Sequence, residues 1–175
     1  MQNNSRYEPA EDTFFLADHI QNEKGRTALD IGTGSGYLTK ILEKNFDLVI
    51  ATDVDYNSIL TQDEKIQNGV CCVSADALGS QFDLIICNLP YLPSDRIQDR
   101  TVDGGKEGLE IPIQIIKSAK YRLKPGGKML YLTSSLANYT KLIRETELLG
   151  FDVKVLAKKK LFFEELIIVA AELSS

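Results

Sequence analysis

A carboxylate and three alternate glycines lie where the first apolar run of the chain ends: Asp30, Gly32, Gly34 and Gly36. Glycine tolerates positive φ and lets the backbone approach a ligand closely, so the segment predicts a binding loop between a strand and a helix. A dinucleotide-binding loop of the G-x-G-x-x-G type needs a glycine at position 37, where this chain has Tyr37. The spacing therefore excludes that pattern.

Two further aspartates follow apolar runs in the same way. Asp53 comes after the run 48–52, and Asp76, followed by Ala77, comes after the run 70–73. A single aspartate after a strand is commonly a helix cap or a turn former. Three carboxylates at successive strand ends favour a binding site, because ligands of open parallel sheets collect at the carboxyl ends of the strands.

The glycine loop resembles the first motif of class I methyltransferases, in which an acidic residue precedes Gly-x-Gly-x-Gly. The resemblance implies S-adenosylmethionine as cofactor, with Asp30 and the loop glycines at its methionine end. It also implies that Asp53 accepts hydrogen bonds from the ribose hydroxyls and that Asp76 and Ala77 lie beside the adenine. A carboxylate suits this cofactor, because the cofactor carries an ammonium and a sulfonium group and no pyrophosphate.

Asn88, Leu89, Pro90 and Tyr91 follow a fourth apolar run and resemble the Asn-Pro-Pro-Tyr motif of amino-methyltransferases. The resemblance implies an acceptor with a planar NH2 group, whose hydrogens are bound by the side-chain oxygen of Asn88 and the carbonyl of Leu89. Asn88 would also border the cofactor, and Tyr91 would stack on the acceptor. Leu89 replaces the first proline of the motif, but its carbonyl is retained, and Pro90 disfavours a helical backbone at residue 89.

The elements that must position these residues alternate between strand-like and helix-like spacing, which predicts a parallel sheet covered on both faces. Strands are expected at 27–31, 48–52, 70–73, 82–87, 129–133, 153–159 and 162–172, and helices at 11–21, 37–45, 57–67, 111–123 and 137–149. The last two strands leave no room for a helix between them and predict an antiparallel hairpin. Pro125-Gly126-Gly127 is expected to separate a helix from a strand.

We therefore expect an α/β fold with a doubly wound, mostly parallel, seven-stranded sheet of Rossmann-like type. A single domain is expected over residues 1–175, with an amino-terminal segment and helix at about 5–22. The apolar positions of that helix are expected to be Phe14, Phe15, Ala17 and Ile20.

Two more segments extend the resemblance over nearly the whole chain. Residues 7–13, Tyr-Glu-Pro-Ala-Glu-Asp-Thr, are similar to the amino-terminal motif of the archaeal and eukaryotic HemK-like glutamine methyltransferases, and residues 102–110 to their Gly-Gly-x-x-Gly segment. The family methylates the glutamine amide nitrogen in the Gly-Gly-Gln loop of class-1 translation release factors. The resemblance places Thr13 at the cofactor pocket, and at the substrate pocket Tyr7, Pro9, Glu11, Gly104 and Gly105. Bacterial members carry an additional substrate-binding domain, for which this length leaves no space.

Members of the minimal type work with a small zinc-binding activator protein, and the resemblance implies such a partner here. The third strand supports this expectation, because Val70, Cys71, Cys72 and Val73 make it apolar on both faces and it is expected at a sheet edge. An edge of this kind invites strand addition by another chain. We expect the activator to pair there as a heterodimer.

Composition narrows the class of protein. The net charge of −5 argues against a protein that binds the phosphate backbone of nucleic acids. The amino terminus lacks the apolar core of a signal peptide, and the longest apolar run, 166–171, is too short to cross a bilayer. The three cysteines, Cys71, Cys72 and Cys87, lack zinc-ligand spacing. We expect reduced core cysteines, no metal site and a cytoplasmic protein.

The residues leave alternatives open. The same chemistry would serve adenine or guanine amines of nucleic acid, although extruding a base usually needs additional elements. Protein lysine is a further acceptor. Because Leu89 departs from the motif and a fold does not determine a function, a non-catalytic module that binds the cofactor is the second alternative.

Overall fold

The computed structural model describes residues 9–60 and 66–173. Its helices are α1 (Glu11–Ile20), α2 (Tyr37–Leu42), α3 (Tyr56–Leu60), α4 (Glu110–Lys120) and α5 (Tyr139–Leu148). Its strands are β1 (Gly25–Ile31), β2 (Phe46–Asp53), β3 (Gly69–Cys71), β4 (Phe82–Asn88), β5 (Leu92–Pro93), β6 (Asp103–Gly105), β7 (Leu123–Ser134), β8 (Phe151–Lys160) and β9 (Glu165–Leu173). A single 3₁₀ turn, Lys106–Gly108, precedes α4.

Seven of these strands form one sheet in the order β3-β2-β1-β4-β7-β9-β8. The first five in this order run parallel, whereas β9 is antiparallel to both β7 and β8. The strand order reverses between β1 and β4, so the crevice that binds ligands in doubly wound sheets lies at the carboxyl ends of these two strands. The predicted fold class, including the closing antiparallel hairpin, is confirmed.

Helices cover both faces of the sheet, and neighbouring residues of a strand point to opposite faces. In β4, Ile85 and Cys87 pack in a cluster with residues of α4 and α5. Leu84 and Ile86 pack on the other face with residues of α1 and α2. Covering both faces explains why the central strands read as continuous apolar runs.

β7 starts earlier than the sequence predicts. Phe82 lies opposite Leu123 and Leu84 opposite Lys128, with an irregularity between the two pairs. The residues between them, including Pro125-Gly126-Gly127, therefore form a bulge within the strand. The expectation that this tripeptide separates the helix from the strand is wrong, because a bulge accommodates proline and glycine without ending the strand.

Other differences concern burial and element ends. Phe14, expected on the buried face of α1, is exposed and packs edge-to-face on Tyr37, whereas Leu16 is fully buried. α2 ends at Leu42 and not at residue 45. α3 ends at Leu60 before residues 61–65, which lie outside the described ranges, so the helix predicted for 57–67 is confirmed only in part.

β3 also differs in detail from the expectation. It ends at Cys71, and Val73 lies beyond it with its side chain exposed. Cys71 is exposed and Cys72 is partly buried, so the expectation of core cysteines holds for Cys87 and is wrong for Cys71. The reason is that β3 lies at the edge of the sheet, where covering is incomplete.

Within the described ranges, no helix is long and apolar enough to cross a membrane.

Candidate active site

The glycine loop leaves the carboxyl end of β1 and is tied to β2. The backbone N–H groups of Gly32 and Thr33 donate to the carbonyl of Thr52 at 2.8 and 3.0 Å. Gly32, Gly34 and Gly36 adopt positive φ angles of 72°, 51° and 81°, a region that favours glycine. A Cβ atom on Gly32 would meet nothing within 4 Å. The loop therefore leaves open space beside its backbone for a ligand.

Asp30 is buried beneath this loop. The hydroxyl of Thr39 in α2 donates to Oδ2 of Asp30 at 2.7 Å, and Thr39 and Thr33 share a hydrogen bond of 2.8 Å. The other carboxyl oxygen, Oδ1, is buried without a hydrogen-bond partner in the described part of the chain. Burial raises the pKa of Asp30 to about 6. Sequence reasoning missed Thr39, because a threonine inside a helix carries no signal of its own.

Asp53 is the last residue of β2, whereas Asp76 lies in the connection that follows β3. Asp53 accepts hydrogen bonds of 2.9 Å from the backbone N–H groups of Gly34 and Asp55, and burial raises its pKa. Asp76 is exposed, as is Ala77, and accepts a 2.6 Å hydrogen bond from the hydroxyl of Ser118 in α4. Ser118 is a second contact that the sequence did not predict.

The structure thus places two of the three predicted carboxylates, Asp30 and Asp53, at the carboxyl ends of β1 and β2 beside the glycine loop. Asp76 instead contacts Ser118 in the last turn of α4 and Arg122 just before β7. A buried carboxyl oxygen with an unused lone pair is unfavourable unless a donor satisfies it. The unpaired oxygen of Asp30, with open space at Gly32, therefore fits a ligand that carries an ammonium group. Asp53 retains acceptor capacity for hydroxyl groups, because each carboxylate oxygen can accept more than one hydrogen bond.

The segment of Asn88, Leu89, Pro90 and Tyr91 continues from the end of β4. The amide nitrogen of Asn88 donates to Oδ2 of Asp12 at 3.0 Å. The backbone N–H of Leu89 donates to the carbonyl of Leu132 at 3.2 Å, so β7 holds the start of the segment. Leu89 and Pro90 are buried, and Tyr91 is partly buried against the core on the α1 side. The substitution of proline by Leu89 thus places an apolar side chain in the core.

Asp12 is a site residue that sequence reasoning missed. Its negative charge also suits the first turn of α1. Its Oδ1 also accepts hydrogen bonds from the backbone N–H and the hydroxyl of Thr13 at 2.6 and 3.3 Å. Thr13 itself is buried. The amino-terminal motif therefore reaches the candidate catalytic segment through Asp12.

The Gly-Gly-x-x-Gly segment packs on the backbone of the same segment. β6 pairs with β5 directly after Tyr91, and the N–H of Leu92 donates to the carbonyl of Val102 at 2.9 Å. A Cβ atom on Gly104 would lie 2.6 Å from the carbonyl oxygen of Pro90. A Cβ atom on Gly108 would overlap the carbonyl oxygen of Tyr91. Glycine is required here because two backbones make direct contact.

The remaining residues predicted for the substrate pocket are placed as follows. Pro9 is partly buried, and Glu11 is exposed and paired with Lys159 of β8. Gly104 and Gly105 are buried, and Gly105 (φ 78°) packs on the side chain of Glu110. Tyr7 lies outside the described residues.

The edge predicted for a partner lies at β3, at one end of the sheet. The N–H of Cys72 donates inward to the carbonyl of Asp53 at 3.0 Å, so this pairing continues one residue beyond β3. Because successive N–H groups of a strand point to opposite sides, the N–H of Cys71 faces outward. Among the described residues, no group of three or more His, Cys, Asp or Glu side chains is placed to hold a metal ion.

A reversed strand order, a glycine loop after β1 and an Asn-x-Pro-Tyr segment after β4 define the class I methyltransferase fold. The family model for the methyltransferase small domain matches residues 5–163. The chain belongs to this family.

Relatives and solved structures agree with this class. A protein of Methanocaldococcus jannaschii, provisionally named a protein N5-glutamine methyltransferase, is 32% identical over 178 residues, covering 94% of this chain and 90% of the relative. The solved Mtq2–Trm112 complex of E. cuniculi is described as responsible for methylation of the termination factor eRF1. Its matching chain has a TM-score of 0.80 and 26% identity, with 96% of this chain and 98% of that chain covered.

A third structure shares the fold alone. It is the T. thermophilus 16S rRNA N2 G1207 methyltransferase in complex with AdoMet and guanosine, with a TM-score of 0.69 and 20% identity. The match covers 98% of this chain and 45% of that chain.

Proposed function

We propose that this chain transfers a methyl group from S-adenosylmethionine to the side-chain amide nitrogen of a glutamine in the Gly-Gly-Gln loop of a class-1 translation release factor. The M. jannaschii relative is named for the same reaction, and the E. cuniculi complex acts on a termination factor. The observation that carries the proposal is the orientation of Asn88. Its amide nitrogen is engaged by Asp12, so its oxygen is the atom that accepts an N–H of the acceptor amide.

The cofactor supplies the methyl group, and the residues present fit it. Asp30 would accept from its ammonium group with the unpaired oxygen Oδ1, next to the open space at Gly32. Asp53 would bind its ribose hydroxyls, and Asp76 the exocyclic amine of its adenine. The remaining residues that we propose to line this pocket are Thr13, Gly34, Gly36, Ala77 and Asn88.

The chemistry asked of the protein at the acceptor is mainly positioning. An amide nitrogen is a poor nucleophile, because its lone pair is delocalised into the carbonyl. Two acceptors, the oxygen of Asn88 and the carbonyl of Leu89, would bind its two hydrogens and direct the nitrogen toward the methyl group. Pro90 directs the segment, and Tyr91 would stack on the flat amide. The pocket mouth would be formed by Tyr7, Pro9, Glu11, Gly104 and Gly105.

The position of the partner is the second part of the proposal. A small zinc-binding activator would add a strand along Val70, Cys71, Cys72 and Val73, where the outward N–H of Cys71 is available for pairing. The E. cuniculi relative was solved as a complex with Trm112, which supports a partner of this kind. We further propose that residues 1–175 form one domain and that the protein acts in the cytoplasm, where release factors work.

The proposal is tested by methyl transfer from labelled S-adenosylmethionine to a purified release factor and to its Gln→Ala loop variant, with and without the activator. Label on the glutamine form alone supports the reaction and the acceptor. An Asn88→Ala variant should keep cofactor binding and lose turnover by about a hundredfold or more, as when one oriented group of a polar site is removed. Label on nucleic acid or on lysine, with none on the factor, would replace glutamine as the acceptor, and cofactor binding without transfer to any substrate would indicate the non-catalytic alternative.

A further inference from the structure

The turn between β8 and β9 exposes two adjacent aromatic side chains. Phe162 is 91% exposed and Phe163 is 86% exposed. Their rings lie edge-to-face with centroids 4.6 Å apart and an interplanar angle of 82°. Burying a phenylalanine side chain is favourable, so two contiguous exposed rings are a marked departure from a typical surface. A paired patch of this kind indicates a surface that another molecule covers.

The turn that carries the rings is firmly held. The N–H of Leu161 donates to the carbonyl of Glu164 at 2.7 Å, and Leu161 packs against the core. The hydroxyl of Ser134 donates to the carboxylate of Glu164, and the N–H of Glu165 donates to the hydroxyl of Ser135 at 2.8 Å. The aromatic pair is therefore presented on an ordered backbone, which lowers the conformational entropy lost on binding.

The turn lies at the end of the sheet where the parallel strands have their carboxyl ends, which is also the end that carries the candidate active site. Leu166, the second residue of β9, lies opposite Ser134, the last residue of β7. β7 is the neighbour of β4, which ends at Asn88. A chain of contacts joins the two places. Lys159, close to the turn, pairs with Glu11, and the next residue, Asp12, bonds Asn88. A folded protein bound on the turn would therefore lie on the same side of the sheet as the acceptor site.

Strand pairing does not explain this surface. β8 is the outer strand opposite β3, and lysines at 154, 158 and 160 together with a bulge between Val155 and Ala157 disfavour the addition of another strand. β3 has neither device in its three residues. The activator proposed for β3 lies across the whole width of the sheet from the turn. The apolar groups that the turn offers to a partner are the two aromatic side chains, and aromatic side chains are typical anchors of protein contacts.

We propose that Phe162 and Phe163 are the docking anchor for the protein substrate, which covers them with an apolar depression on its folded surface near the acceptor loop. This inference rests on the proposed function, since it takes the substrate to be a folded protein that presents a glutamine. The catalytic segment positions the acceptor amide, and the turn supplies affinity for the body of the substrate. The enzyme thereby distinguishes a folded release factor from a free peptide of the same loop sequence.

The test compares the double variant Phe162→Ser/Phe163→Ser with the wild type, in complex with the activator. Tyr121→Ser is the matched control, because Tyr121 is an aromatic residue 74% exposed that precedes β7 at the opposite end of the strands. Three quantities are measured: the Kd for the purified release factor, and both KM and kcat for the full-length factor and for a short acceptor-loop peptide. The double variant should raise Kd and KM for the full-length factor about tenfold or more, which corresponds to about 1.4 kcal/mol. Its kcat, and all values for the peptide, should stay unchanged.

Three results would overturn the docking proposal. They are an unchanged Kd for the full-length factor, an equal loss on factor and peptide, and a wild-type dimer that the double variant dissociates. The proposed reaction fails separately if the wild type binds the factor through this turn but transfers no methyl group to it.

Discussion

The amide nitrogen of Asn88 donates to Asp12 at 3.0 Å, although the two residues are 76 positions apart in the chain. The contact joins the start of α1 to the end of β4. The side-chain amide of an asparagine can rotate by 180°, since its oxygen and its NH2 group are nearly equal in shape. A carboxylate accepts hydrogen bonds and donates none when ionised, so Asp12 selects the orientation in which the nitrogen faces it and the oxygen faces the other way.

The first prediction concerns this contact. Asp12→Ala should lower kcat for methyl transfer by about tenfold to a hundredfold, because the amide of Asn88 loses the partner that orients it. The Kd for the cofactor should change much less. Asp12→Asn, which keeps an acceptor oxygen, should recover part of the rate. Asp18→Ala, an exposed carboxylate on the same helix, is the control, and equal losses in both alanine variants would show that helix stability, and not orientation, is responsible.

The second prediction concerns the contact between backbones at Gly104. Gly104→Ala places a Cβ atom 2.6 Å from the carbonyl oxygen of Pro90, a distance at which one backbone must move. We expect turnover to fall at least about tenfold, since displacement of a reacting geometry by a fraction of an ångström is costly. Gly79→Ala is the matched control, because its Cβ would meet nothing within 4 Å. Full activity of Gly104→Ala, with the fold intact by circular dichroism, would contradict the role assigned to this contact.

The third prediction concerns the pH dependence of stability. Burial raises the pKa of Asp30 from 3.8 to about 6. Between these values the folded protein binds more protons than the unfolded chain, so this group makes the free energy of unfolding fall as the pH rises from about 4 to about 6. Relative to Asp30→Asn, the wild type should lose on the order of 3 kcal/mol over this window, at about 1.4 kcal/mol per pKa unit.

Chemical denaturation of the cofactor-free protein at several pH values measures this difference. Cofactor affinity should change in the opposite sense, rising through pH 6 in the wild type, because the ionised carboxylate is the form that binds an ammonium group. If the free energy of unfolding of Asp30→Asn showed the same pH dependence as that of the wild type, a group other than Asp30 would be responsible for the dependence.

The fourth prediction concerns strand addition at β3. Cys71→Pro removes an N–H that points outward, while the inward N–H of Cys72 continues to bond Asp53. We expect it to weaken activator binding by about tenfold or more and to leave the thermal stability of the isolated chain close to that of Cys71→Ala. Titration of activator against both variants measures this. Equal affinities for the two variants would place the activator elsewhere on the protein.

The sheet and the carboxylates at the ends of β1 and β2 could be predicted from the sequence, because each rests on a local pattern. Asp30 and Asp53 each follow an apolar run, and the carboxyl ends of parallel strands meet in space. Thr39 and Asp12 could not be predicted in this way. Their contacts with Asp30 and Asn88 depend on how two helices pack on the sheet, which no spacing within one segment encodes.

The bulge in β7 shows that proline and glycine do not always mark the end of a helix or strand. Proline and glycine end many helices and strands, which is why the sequence predicts a break at Pro125-Gly126-Gly127. β4 pairs with β7 before and after the four bulged residues, at Leu123 and again from Lys128, and β9 pairs with β7 from Lys128 onward, so the strand continues past them. The exposure of Phe14 and Phe162 was missed for a similar reason. The sequence shows that a residue is apolar, but not whether another part of the fold covers its side chain.

The distance between the two outer strands has a consequence for assembly. Six strand spacings of about 4.8 Å separate β3 from β8, which is roughly 29 Å along the sheet. Two proteins bound at these ends need not touch each other, so a ternary complex can form in either order of addition. Saturation with one partner should then leave the affinity for the other unchanged, and each surface can accumulate substitutions independently of its counterpart.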